Sequence, residues 1–245
     1  MQDQWPGRQS SALLKPGMVI QQRYRIEAIA GKGGMGTVYQ AADLKLPGKK
    51  WALKTVTGEQ RRLLRHEAAF MMRLSHPQLP HIVDYVELEQ EQFSCIIMEW
   101  VEGETLQHRF ARAGYKLPIG EIQSYALQLC DCLTYLHSFD ERPVIYRDLN
   151  PANVMIDRNG MVRLIDFGIA VSANEGPAFK AGTRGFAAPE QLNSKTEEDH
   201  RADLYNLGAL MFYLLSGGGF ADSEKPQQIK RLLSAADVPE SMIDI

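Results

Sequence analysis

Cysteine is scarce in this sequence, and its scarcity excludes two common architectures. The three copies, Cys95, Cys130 and Cys132, are odd in number and show no zinc-ligand spacing, so neither a disulfide framework nor a zinc site is expected. Cys130 and Cys132 stand two apart on an expected helix and therefore point in different directions. Small buried thiols in a reducing, cytoplasmic setting account for all three. Long basic runs are also absent and the net charge is -3, which argues against nucleic acid as a main partner. No apolar run reaches the roughly 18 residues that a membrane span requires, and no signal-peptide pattern opens the sequence. Internal repeats are missing as well. What is present is length: 245 residues can bury a substantial core as one domain or two lobes.

Residues 144–167 carry the densest chemistry. Two apolar runs, 154–156 and 162–165, flank Arg158-Asn159-Gly160, a hairpin signal. Polar side chains crowd the outer ends of both runs: Asp148 and Asn153 before the first, Asp166 after the second. A hairpin brings its outer ends together, so these three side chains are expected to converge. Two carboxylates and an amide are hard oxygen ligands, suited to Mg2+ held together with substrate phosphates. Asp and Asn are also common wherever strands end, so turn chemistry explains the residue types equally well. The rest of the chain must decide.

Residues 1–17 are polar, with several Pro, Gly and Ser, which predicts a flexible leader. Alternation from Tyr24 predicts a strand running into Gly31-Lys32-Gly33-Gly34-Met35-Gly36, and a second strand follows over 38–41. Glycines let a backbone approach a phosphate and aim its N–H groups there, although a dinucleotide site or a plain flexible turn shows the same spacing. A strand after the glycines, in place of a helix, argues against the dinucleotide fold. Residues 45–50 form a basic surface turn before the apolar run Trp51-Ala52-Leu53-Lys54, where a lysine is ordinarily an edge or snorkelling residue. A helix is expected over 59–74, with Leu64, Ala68 and Met71 as its stripe and Glu67 beside it. Residues 82–86 and 93–98 predict an antiparallel strand pair joined by an acidic turn. Further on, Ile122, Ala126, Leu129, Leu133 and Leu136 form one stripe on a helix over 119–139. The nearly all-apolar run that follows Asp203 through Leu215 predicts a buried helix, with Asp203 as a candidate N-cap.

Asp148-Leu-Asn-Pro-Ala-Asn153 followed by Asp166-Phe167-Gly168 resembles the catalytic loop and metal-binding triplet of bacterial eukaryotic-like (Hanks-type) serine/threonine protein kinases. The glycine stretch, the strand ending at Lys54, Met98-Glu99-Trp100-Val101 and Ala188-Pro189-Glu190 are similar to further signatures of that family, in its order. The resemblance implies an α+β, two-lobed fold: a small antiparallel β lobe with one helix over 18–98, and a larger, mainly helical lobe over 99–245 that is short at its C-terminal end. It implies Mg2+-dependent transfer of the γ-phosphoryl group of ATP to serine or threonine hydroxyls of a protein substrate, autophosphorylation included. Asp148 would accept the hydroxyl proton, Asn153 and Asp166 would hold Mg2+, and Lys54, fixed by Glu67, would hold the α- and β-phosphates. Gly31, Lys32, Gly33, Gly34, Met35 and Gly36 would cover the phosphates. Val38, Ala52, Met98, Glu99, Val101 and Met155 would surround the adenine, with Glu104 near the ribose. The segment around Thr183 would dock the peptide, Asp203 would brace the catalytic loop, and Arg147 could meet a phosphate.

Three departures from the family bear on activity. Tyr146 stands where a histidine is usual, and being aromatic it can fill the same packing position. Asn150 stands where serine/threonine kinases generally carry a lysine that meets the transferred phosphate, so a slow enzyme is expected. The sequence given stops at Ile245, where the family would continue for one or two helices. Two rival classes follow: a pseudokinase that binds nucleotide or scaffolds, and a small-molecule kinase of related fold. Lys54, Asp148, Asn153 and Asp166 argue against the first, and the peptide-docking segment argues against the second.

Overall fold

Apolar alternation builds an antiparallel sheet in the first part of the chain and helices in the second. The computed structural model describes residues 14–33, 36–57, 68, 71–88, 93–139, 143–166, 171–172, 182–192, 198–220, 226–236 and 238–239. The chain divides into two compact units, Met1–Leu74 with His81–Trp100, and Ser75–Pro80 with Val101–Ile245. The boundary expected from sequence lay at 98/99.

In the first unit, strands β1 (Val19–Ile20), β2 (Tyr24–Gly33), β3 (Gly36–Asp43), β4 (Lys50–Thr57), β5 (Ile82–Leu88) and β6 (Phe93–Glu99) form one sheet in the order β1-β2-β3-β4-β6-β5. Tyr24, Ile26, Tyr39, Trp51, Leu53 and Ile97 pack together on one face, and Val56, Ala68 and Ile96 on the other. Burying a side chain such as Leu53 contributes about 1.5–3 kcal/mol. The β3–β4 connection, expected as a plain basic turn, is anchored by buried Asp43. Its carboxylate takes hydrogen bonds from Arg23, Trp51 Nε1 and the backbone N–H groups of Lys45 and Leu46. The Arg23 guanidinium, helped by those other donors and opposed by burial, holds the Asp43 carboxyl far below the usual carboxylate range.

The flexible leader was expected to reach residue 17, and the structure shortens it. Leu14 is buried in the core, its N–H donating to Tyr39 Oη at 3.1 Å, and Gly17 N–H donates to Ile26 O at 2.9 Å. Residues 1–13 lie outside the described residues, as does most of the helix expected over 59–74. Of that helix, Met72 N–H donates to Ala68 O at 2.9 Å.

The second unit contains β7 (Gly103–Thr105), α1 (Leu106–Arg112), α2 (Ile119–His137), β8 (Val144–Ile145), β9 (Val154–Asp157), β10 (Val162–Leu164), β11 (Val171–Ser172), α3 (Pro189–Leu192), α4 (Arg201–Leu215) and α5 (Pro226–Ala235). Strands pair as β10-β9-β7 and as β11-β8. The predicted hairpin is β9–β10, turned at Gly160 with φ 78°, which favours glycine. Its stem is capped by Asp157 Oδ1, which accepts from the N–H groups of Asn159 and Met161. Helix α2 buries Ile122, Leu129, Leu133 and Leu136 of the expected stripe, with Tyr125 and Cys132 beside them, and leaves Ala126 half-buried. Cys130, expected to be buried, is exposed, because two steps along a helix turn it to the opposite side from Cys132. Helix α4 is buried on most sides, but Leu204 is 52% exposed, so it is not enclosed all round. Ser75–Pro80 belongs to this unit for identifiable reasons: Ser75 N–H donates to Tyr135 Oη, His76 stacks on Tyr135, and Leu164 N–H donates to Gln78 O.

Candidate active site

The site begins where β8 ends. Tyr146 and Arg147 turn the chain sharply, and Arg147 sits in the left-handed region with φ 70°. A non-glycine residue there costs on the order of 1–3 kcal/mol and persists only when its surroundings fix it. Asp203, fully buried on α4, does the fixing. Its Oδ2 accepts from Tyr146 N–H at 2.9 Å and its Oδ1 from Arg147 N–H at 2.7 Å. His137 Nε2 meets the same carboxylate at 2.8 Å. The brace expected of Asp203 is present; its role as N-cap is not, since that position belongs to His200.

Beyond this turn, half-buried Asp148 is a hub. Its Oδ2 accepts from Asn153 Nδ2 at 2.8 Å, and its backbone carbonyl takes the same amide at 2.9 Å. Its Oδ1 accepts from Thr183 N–H at 3.0 Å and Thr183 Oγ1 at 2.7 Å. Buried Asn150 closes the triangle: Nδ2 donates to Thr183 Oγ1 at 3.0 Å and to Asp148 O at 3.1 Å, while Oδ1 accepts from Ala152 N–H. Thr183 Oγ1 thus accepts from Asn150 and donates to Asp148. Asp148 and Asn153 meet within one loop, and the hairpin returns the chain to them. It ties Asp166 to them through its neighbour, since Ile165 N–H donates to Asn153 O at 2.9 Å. Asp166 shares the left-handed conformation, φ 68°. Phe167, Gly168 and Ala181 lie outside the described residues.

The first unit carries the remaining candidates on its sheet. In register, Val38 lies opposite Lys54 and Lys54 opposite Ile96, while Ala52 lies opposite Met98. Opposed residues share a face and alternate residues share it too, so Val38, Ala52, Lys54 and Met98 line one side of the sheet. Lys54 is 5% exposed there. Gly31 pairs with Val38, Lys32 with Thr37 and Gly33 with Gly36, so the glycine stretch is itself a hairpin continuing that sheet. Gly36 must be glycine for a second reason: its φ is 131° and a Cβ there would overlap the Thr55 carbonyl oxygen. Gly34, Met35 and Glu67 lie outside the described residues. Glu99 N–H is spent on His81 O at 2.8 Å, so a backbone contact from Glu99 to a ligand would use its carbonyl. In the second unit Val101 is buried and Met155 is half-buried on β9. Glu104 is held by Arg109 at 3.4 Å and Arg112 at 2.5 Å, which occupies the carboxylate expected near a ribose.

The protein kinase domain family model matches residues 24–241. The chain belongs to the protein kinase family. Among curated relatives, the serine/threonine-protein kinase pkn3 of Myxococcus xanthus is 35% identical over 82% of this chain and 39% of its own length. A probable serine/threonine-protein kinase PknB of Corynebacterium glutamicum is 32% identical over 85% of this chain and 33% of its own. Sperm motility kinase 1 of Mus musculus is 28% identical over 87% of this chain and 43% of its own. The chain thus spans between a third and somewhat over two fifths of the length of these relatives.

Within this kinase frame Tyr146 does more than fill space. Its hydroxyl donates to Ile165 O at 2.6 Å, joining the catalytic loop to the residue before Asp166, and complete burial pushes the phenol well above its ordinary pKa. Sequence reading missed Gln191 and Asn206. Gln191 Nε2 donates to Arg147 O at 2.7 Å, and Asn206 Nδ2 bonds both Phe186 O and Gln191 Oε1. These amides lace residues 186–191 to the turn at Arg147. Their signal was available: Asn206 is a polar residue on the nearly all-apolar helix, where only a partnered side chain is tolerated. His137 gave no signal, because its partner lies 66 positions away.

Proposed function

We propose that this chain transfers the γ-phosphoryl group of ATP, with Mg2+, to serine or threonine hydroxyls of a protein substrate. The observation that carries the reading is the bond from the Thr183 hydroxyl to Asp148 Oδ1 at 2.7 Å. A substrate serine or threonine hydroxyl is the same chemical group and can donate to the same carboxylate. An ionised carboxylate offers about four lone-pair sites, and three are taken by Asn153 and Thr183. Asp148 therefore retains capacity to accept the hydroxyl proton and aim its oxygen. Positioning of this kind, with charge neutralisation, supplies most of the rate in phosphoryl transfer.

Asn153 and Asp166 fit a magnesium ion. The Asn153 amide nitrogen is committed to Asp148, which leaves its oxygen as the ligand end, and amide plus carboxylate oxygens suit a hard cation bound mainly through phosphates. When bound, Mg2+ neutralises phosphate charge. Lys54 contributes the cation for the α- and β-phosphates, Glu67 orients it, and Val38, Ala52 and Met98 give the adenine an apolar surface. The hairpin of Gly31, Lys32, Gly33 and Gly36 offers backbone N–H groups to phosphate. Radiolabelled ATP with a generic protein substrate tests the reading: Mg2+-dependent phosphoserine and phosphothreonine are expected, and their absence from a folded chain that binds ATP would favour a nucleotide-binding scaffold.

A further inference from the structure

Arg147, immediately before Asp148, has every one of its backbone polar groups committed. Its N–H donates to Asp203 Oδ1 at 2.7 Å and its carbonyl accepts from Gln191 Nε2 at 2.7 Å. Its side chain is committed as well. Only 7% exposed, the guanidinium stands with Nε 3.0 Å from Oε2 of Glu198, itself 8% exposed. Neither atom has an aligned hydrogen-bond partner among the described residues, so the contact is an oblique ion pair. Burial raises the Glu198 carboxyl, Glu190 and Asp203 add to that, and Arg147 opposes it. Charges buried this way are strongly unfavourable once separated. Three separate positions, 191, 198 and 203, therefore converge on the one left-handed residue that presents Asp148.

We propose that Glu198 is a positioning residue for phosphoryl transfer: its carboxylate supplies the counter-charge to Arg147 and so fixes the turn that presents Asp148. The site on Arg147 where a phosphate could have docked is filled from within the chain, by a carboxylate that needs no modification. The proposal rests on the reading of Asp148 as the residue that orients the hydroxyl. It assigns Glu198 no contact with ATP, metal or substrate.

The test is a double-mutant cycle read in steady-state kinetics: wild type, Glu198→Gln, Arg147→Gln and the double variant. Glu198→Gln is expected to lower kcat about tenfold, the equivalent of roughly 1.4 kcal/mol, with the KM for ATP unchanged. Glu198→Asp, which keeps the charge on a shorter stem, should recover part of the loss. In the Arg147→Gln background Glu198→Gln should add nothing, because its partner has gone. Fold-changes that multiply instead would show that Glu198 acts otherwise and would overturn the proposal. If Glu198→Gln does not fold, the cycle is run with Glu198→Asp, and the same multiplicative result counts against the proposal. A wild type that transfers as well as Glu198→Gln removes this proposal alone; a folded wild type without any transfer removes the reading of the site with it.

Discussion

Asp43 and Asp148 are both carboxylates at the end of a turn, and they are used in opposite ways. Asp43 receives Arg23 Nε and Nη2, Trp51 Nε1 and two backbone N–H groups, which exceeds its lone-pair capacity. It is buried, and nothing further can bind it. Asp148 receives three donors, is half-buried, and keeps an accepting site. Saturation makes a scaffold, and residual capacity is what the role proposed for Asp148 requires. Rigidity is supplied to Asp148 from outside, through Asp203 and Gln191 acting on the residues beside it.

The largest effect that should separate the two is on stability. Asp43→Ala leaves a buried indole N–H and two backbone N–H groups without an acceptor, at a cost on the order of 3 kcal/mol. Thermal melts should show the loss, while kcat of the folded fraction stays near wild type. A kcat loss matching the Tm loss would erase the distinction. Acid gives the same answer in the wild type. The folded carboxyl titrates below its unfolded value of about 3.9, so its stabilisation is present above that pH and is lost as pH falls below it. In Asp43→Ala that acid limb should shrink.

Asn150→Lys comes next. A lysine adds a full charge near the transferred group, and a charged hydrogen bond contributes about 1.5–3 kcal/mol, so kcat should rise by about 10- to 100-fold. The same change removes the acceptor for Ala152 N–H, so the variant should melt lower. An unchanged or lower kcat in a folded variant would show that the Asn150–Thr183 contact already does what the lysine would do. Tyr146→Phe is the smallest. It deletes one hydrogen bond to Ile165 O, about 1 kcal/mol, and should loosen Mg2+-dependent ATP binding by several-fold without touching Mg2+-free nucleotide binding. Equal calorimetric affinities would confine Tyr146 to packing.

Period and spacing made the scaffold of this site readable. The alternation from Tyr24 pointed to the first long strand of the sheet, the Arg158-Asn159-Gly160 turn pointed to the hairpin, and the hairpin brought Ile165, the neighbour of Asp166, to Asn153. What stayed hidden was long-range pairing of polar groups. Glu198 with Arg147 and His137 with Asp203 follow from where helix α4 comes to lie, and no local pattern encodes that. Leu14 was hidden for a related reason, since the run Ala12-Leu13-Leu14 is too short to show a period that would reveal its burial. Tyr146 was read by volume alone, because an acceptor such as Ile165 O cannot be seen in a list of side chains.

Asp148→Asn bears most directly on the site. The substitution keeps the shape and the contact with Asn153 within reach of an amide, but removes the charge proposed to accept the hydroxyl proton. Single-turnover transfer to a protein substrate, with Mg2+-ATP affinity measured on the same sample, separates chemistry from binding. The account predicts transfer at least about 100-fold slower, in line with loss of a general base, at unchanged affinity. Transfer at the wild-type rate by a folded Asp148→Asn chain would contradict it.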